Sequence, residues 1–191
     1  TRFMCFGSIV FMIVSQLMLT FYDNNSETKV FSPDSYVYFT IASHLYTTGV
    51  FTYDGENPTA RREVFYPLLI ASLMKCRIVL PYTLTVENVF PVIIVQAGMY
   101  LCSIWFISII AREYFGETSA ALTILFLGVY QELNKYWLMI LSETSYIFCI
   151  TIFMYFFRKW FDKKARKMDV YVSGIFLGLS CMVKSVTVLF P

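Results

Sequence analysis

Residues 88–111 read NVFPVIIVQAGMYLCSIWFISIIA, 24 residues without a formally charged side chain. A helix needs about 20 mostly apolar residues to cross the hydrocarbon core of a bilayer. Four further apolar runs lie around this one, at 3–22, 118–131, 136–157 and 170–190, of which 118–131 is the shortest. Composition agrees, with 58% of residues apolar, only 15% charged and a mean hydropathy of +0.62. A soluble domain carries about 25% charged residues. The expected fold is an all-α integral membrane protein of about five transmembrane helices. The run 3–22 is too long for the apolar region of a signal peptide, and no small-x-small cleavage pattern follows it, so it is expected to span.

Aromatic residues make up 19% of the chain, which suits helices ending at the membrane interface. A net charge of +2 is too small to argue for nucleic acid. The five cysteines are odd in number and show no CxxC spacing, so they predict neither a disulfide framework nor a metal site.

Between the first two runs lies a long connection, 23–87. Ser32-Pro33-Asp34 is a helix-start signal, and Gly49 is a stop signal, so a helix is expected from Asp34 to about Thr47. Asp54-Gly55 and Asn57-Pro58 mark turns. From Pro67 to Leu80 an apolar pattern broken by Lys75 and Arg77 suits a helix lying in the interface. Orientation follows from 158–169, which holds Arg158, Lys159, Lys163, Lys164, Arg166 and Lys167 against two acids. Short basic loops stay in the cytoplasm. Counting back places the N-terminus inside and the loop 23–87 outside.

Ionisable residues within spans are costly and usually functional. Glu143 lies in the fourth run and Lys184 in the fifth. The charge-derived topology puts both in the outer half of the membrane, either as an ion pair orienting two helices or as the lining of an outward polar cavity. In the outer loop, Asp34 opens the expected helix, where an acid also suits the helix dipole. Arg61 and Arg62 are adjacent and followed by Tyr66; paired guanidinium forks suit a phosphate, and equally a solvated loop or a lipid headgroup. His44 has no second ligand at metal spacing. Walker, HExxH, GxSxG and GxGxxG motifs are absent.

Three stretches in this order resemble the N-terminal part of GT-C membrane glycosyltransferases, in the branch holding protein O-mannosyltransferases and aminoarabinose transferases of lipid A. The first is Ser32-Pro33-Asp34-Ser35-Tyr36 with Gly49 and Arg61-Arg62-Glu63-Val64-Phe65-Tyr66-Pro67. The second is Leu141-Ser142-Glu143-Thr144, and the third runs from Ser173-Gly174 through Gly178 to Lys184. Many members carry paired acids in the first loop, whereas Asp34 is followed by Ser35. Full-length members have more spans, so residues 1–191 are expected to be the N-terminal part of such a transmembrane domain.

The resemblance implies an inverting transfer of a sugar from a polyprenyl-phosphate donor to a glycan, lipid or protein acceptor. The reaction would lie on the non-cytoplasmic side, with the inner cell membrane as the expected location. It implies Asp34 as general base, and Arg61, Arg62 and Lys184 on the donor phosphate with Tyr66 beside them. Glu143 would orient the acceptor or hold a divalent cation if one is used. A multi-span transporter or a non-catalytic membrane assembly protein is the alternative reading of the same residues.

Overall fold

The computed structural model describes residues 30–60, 62–161 and 166–185, together with Gly7, Val10 and Val14. Apart from those three, the expected span 3–22 lies outside the described residues, as does Arg61. The described chain is helical, with a single isolated antiparallel bridge between Thr52 and Pro58.

The first named helix, α1, runs Pro33–Thr48. Ser32 caps it with a reciprocal pair of bonds: its hydroxyl accepts from the Ser35 amide, and the Ser35 hydroxyl accepts from the Ser32 amide at 3.0 Å. Gly49 ends it at φ 74°, its amide donating to the Leu45 carbonyl. Tyr38, Ile41, Ala42 and Leu45 share one face at helical spacing, and the first three are buried.

Helix α2, Phe65–Lys75, buries Tyr66, Ile70 and Met74 at i, i+4, i+8. It ends five residues short of the expected Leu80. Arg77 turns left-handed at φ 59°, its amide reaching the Met74 carbonyl and the next amide, Ile78, reaching Leu73. That is a Schellman closure with arginine where glycine is usual.

Helix α3, Val86–Phe115, is capped by Thr85 and carries the run 88–111 as one element. Among the described residues it is the one helix long and apolar enough to cross a membrane by length and composition. Gly116, at φ 87°, is the lone break before α4, Glu117–Val129, so a single residue separates the helices that carry the runs 88–111 and 118–131. After Tyr130 comes the short α5, Gln131–Leu138, then non-helical 139–142, then α6, Glu143–Trp160. The run expected to span as 136–157 is therefore interrupted. Helix α7, Lys167–Val183, completes the described chain; residues 186–190 of the expected fifth span lie outside it.

Helices α6 and α7 pack antiparallel, with Phe148 edge-on to Phe176 at 5.9 Å. Helix α3 packs on α6 in parallel: Met99 faces Ser145, and Phe106 faces Tyr155 at 4.9 Å. Helix α4 folds back along α3, and α1 and α2 pack against each other in parallel, with Tyr38 on Tyr66. This pair meets the bundle at the 139–142 segment, where the Ser35 hydroxyl donates to the Ile140 carbonyl at 2.9 Å.

Candidate functional site

Two charges read as lying inside apolar spans in fact sit at helix ends. Glu143 is the first residue of α6, and Lys184 caps α7 with extended backbone. An acid at a helix N-terminus and a base at a C-terminus each interact favourably with the dipole. Because α6 and α7 are antiparallel, those two ends are neighbours, and Lys184 Nζ donates to Glu143 Oε1 at 2.8 Å. Each side chain keeps about a third of its surface exposed, at 33% and 31%. Of the two expected alternatives, the structure shows the ion pair.

A second pair stands beside it. The Arg62 guanidinium, from the turn before α2, donates to Asp34 in the first turn of α1. Asp34 is half-exposed. Arg62 also lies over the Tyr38 ring, 5.6 Å from its centroid. The Tyr38 hydroxyl in turn bonds Ser142 at 3.1 Å, one residue before Glu143. Tyr38 thereby joins the two pairs. Burial raises its pKa above the ordinary 10.0, opposed by the Ser142 bond and by Arg62. Glu63 accepts a 3.5 Å bond from Ser185, next to Lys184.

Several polar atoms in this cluster are buried without a partner among the described residues: Arg62 Nε, Glu143 Oε2 and Thr144 Oγ1. Such atoms normally find a partner in a folded protein, so a site with an unused donor and unused acceptors suits a polar ligand. No three His, Cys, Asp or Glu side chains gather to hold a metal among the described residues. Tyr66, expected beside the phosphate, is fully buried; its hydroxyl donates to Gln96 Oε1 at 2.9 Å. His44 stands apart from the two pairs in its partners, bonding the Thr52 carbonyl and packing on Tyr82.

The other end of the bundle is built differently. Arg158 near the end of α6 pairs with Glu113 near the end of α3, among Tyr114 and Tyr155. Phe115, Trp160 and Phe161 are exposed there. At about 1.5 Å per residue, the 18 residues of α6 separate the two ends by about 27 Å.

Residues 73–191 match the dolichyl-phosphate-mannose-protein mannosyltransferase family. The chain belongs to this family. No curated protein and no solved structure matches the chain. Membership makes it a membrane glycosyltransferase of GT-C type in general kind. The matched region of this mannosyltransferase-family chain includes Gln96, Glu143 and Lys184, while Asp34, Arg62 and Tyr66 precede it. Sequence reading had assigned no role to Tyr38, Ser142, Glu63 or Gln96. Gln96 carried a signal all the same, as the lone amide in the run Val92-Ile93-Ile94-Val95-Gln96-Ala97.

Proposed function

We propose that residues 1–191 form the N-terminal, five-span part of an inverting glycosyltransferase that takes its sugar from a polyprenyl-phosphate carrier. Transfer takes place at the non-cytoplasmic face of the inner cell membrane, and the N-terminus is cytoplasmic. One observation carries this reading: two acid–base pairs, Asp34–Arg62 and Glu143–Lys184, adjoin one tyrosine at the bundle end opposite the basic loop. Exposed apolar side chains on the helix shafts, including Ile94, Leu122, Leu125, Met154 and Ile175, support immersion in lipid.

In this mechanism the acceptor hydroxyl attacks the anomeric carbon from the face opposite the phosphate. The C1–O bond breaks and its electron pair leaves with the phosphate. Asp34 takes the hydroxyl proton, a role that suits a carboxylate ionised at neutral pH. Arg62 and Lys184, with Arg61, stabilise the departing phosphate. Arg62 now holds Asp34, so a donor phosphate competing for its guanidinium would release the carboxylate for the acceptor. Glu143 Oε2, buried without a partner among the described residues, is the oxygen that would take a second acceptor hydroxyl, or a divalent cation if the reaction uses one.

The test is transfer of radiolabelled sugar from polyprenyl-phosphate donors in membranes expressing the full-length gene, wild type beside Asp34→Asn. Transfer lost in the variant at equal protein level supports the enzyme and its base. Unchanged transfer removes Asp34 from the mechanism. No transfer by wild type with any donor shifts the weight to a transporter or assembly role.

A further inference from the structure

The two pairs rest on a stretch of backbone that no helix holds. Residues 139–142 are non-helical, and the last carbonyls of α5 lie beyond its internal bonding. Buried carbonyls of this kind need partners from elsewhere. Gln96 of α3 supplies them. Its side-chain nitrogen donates to the Met139 carbonyl at 2.8 Å and lies 3.4 Å from the carbonyls of Tyr136 and Leu141. Its side-chain oxygen accepts from Tyr66. The partners fix the amide's orientation, because turned over it would aim its oxygen at three carbonyl oxygens.

We infer that Gln96, together with Tyr66, is a positioning residue for sugar transfer, setting the spacing of the Glu143–Lys184 and Asp34–Arg62 pairs. The inference rests on the transferase reading above. Both side chains are fully buried, so they act through others. On one side Gln96 holds Met139; three residues on, Ser142 bonds Tyr38, and Glu143 then opens α6 against Lys184. On the other side Tyr66 packs edge-on to Tyr38 at 5.0 Å, the ring that carries Arg62. One amide therefore ties α3, α2 and the 139–142 segment at the point from which both pairs are hung. A displacement of about 1 Å in reacting groups costs on the order of 100-fold in rate.

The chemistry singles out an amide. An ionised carboxylate at position 96 would accept from Tyr66 but face the carbonyls with negative charge. Once protonated, it would donate to Met139 with one oxygen and accept from Tyr66 with the other.

Gln96→Met, Gln96→Glu and Tyr66→Phe in membranes expressing the full-length gene test this, with kcat and KM for the polyprenyl-phosphate sugar measured per folded molecule. Gln96→Met should lower kcat on the order of 10-fold or more and leave KM within about 2-fold. Tyr66→Phe should lower kcat less. Gln96→Glu should regain transfer relative to wild type as pH falls. Wild-type kcat at every pH in the variants that fold would overturn the inference, including the case where Gln96→Met merely lowers the amount of folded protein.

A second readout needs no transfer. Ser142→Cys, buried at the bond to Tyr38, should resist maleimide with Gln96 present and react at least about 10-fold faster in the Gln96→Met background, read by mass spectrometry at position 142. Equal rates would overturn the positioning role. If wild type moves no sugar while these rates differ, the transferase reading has failed and the positioning of the segment stands.

Discussion

Both ends of the bundle join arginine to a carboxylate, yet they are made of different parts. At the basic end, Arg158 and Glu113 sit on continuous helices among exposed aromatics. At the other end, the acids and bases come from a loop, two helix starts and a helix terminus, linked through Tyr38 and Ser142 and backed by Tyr66 and Gln96. The basic end needs to supply only charge and amphipathic bulk at an interface. The opposite end fixes directions, because its groups are held by buried bonds from several elements. Ion pairs alone do not distinguish the two; what supports them does.

The sharpest break between the ends comes from Asp34→Asn. Loss of a general base should cut transfer by about 10²- to 10⁴-fold in the radiolabel assay. Yield should not change, since Asp34 is half-exposed. Next is the Glu143–Lys184 pair. Glu143→Gln alone removes the charge that Lys184 Nζ bonds, and should reduce both transfer and thermal stability in detergent. The double change Glu143→Gln with Lys184→Met should restore stability and leave transfer low, because removing both charges of a partly buried pair costs little. Recovery of transfer in the double variant would make the pair structural, like the one at the basic end.

A smaller effect is expected at Tyr38. Tyr38→Phe removes the Ser142 bond and should cost about 1 kcal/mol of stability in denaturant titration. Burial raises the Tyr38 pKa, so the folded form keeps its proton to higher pH than the unfolded chain. That contribution is complete below about pH 10 and declines as pH rises beyond it. Tyr38→Phe should therefore flatten the alkaline loss of stability. The smallest effect on transfer belongs to Arg158→Gln, which should leave kcat within about 2-fold and alter mainly insertion or orientation, read by protease protection.

How much of this was legible in the sequence varies by element. Helix α1 was, because Ser32, Pro33 and Gly49 each carry a local backbone signal. The run 88–111 was, because nothing interrupts it. The start of α6 was not. Leu138-Met139-Ile140-Leu141 is apolar and holds no Gly or Pro, so the helical pattern reads straight through a break that tertiary bonds to Gln96 and Val30 maintain. The end of α2 at Arg77 was hidden for a similar reason, since a left-handed arginine leaves no glycine to read. Asp34, Arg62, Glu143 and Lys184 stood out as charges near apolar runs, but who pairs with whom depends on contacts 28 and 41 residues apart. Tyr38 looks like an ordinary helix residue until its neighbours are placed, and Gln96 stands out as an amide in an apolar run without showing what it bonds.

The length of α3 sets a depth. Its 30 residues extend about 45 Å, whereas the hydrocarbon core of a bilayer is about 30 Å thick. In the proposed orientation, with Phe115 at the inner edge of that core, the surplus of about 15 Å would stand clear on the outer side, and it corresponds to the ten residues from Val86 to Val95. Gln96 then lies level with the outer headgroups. Under the proposed function, the phosphate of a lipid-linked donor resting in the leaflet would arrive at the same height, and the carrier would not have to be lifted out of the bilayer to meet the charged groups.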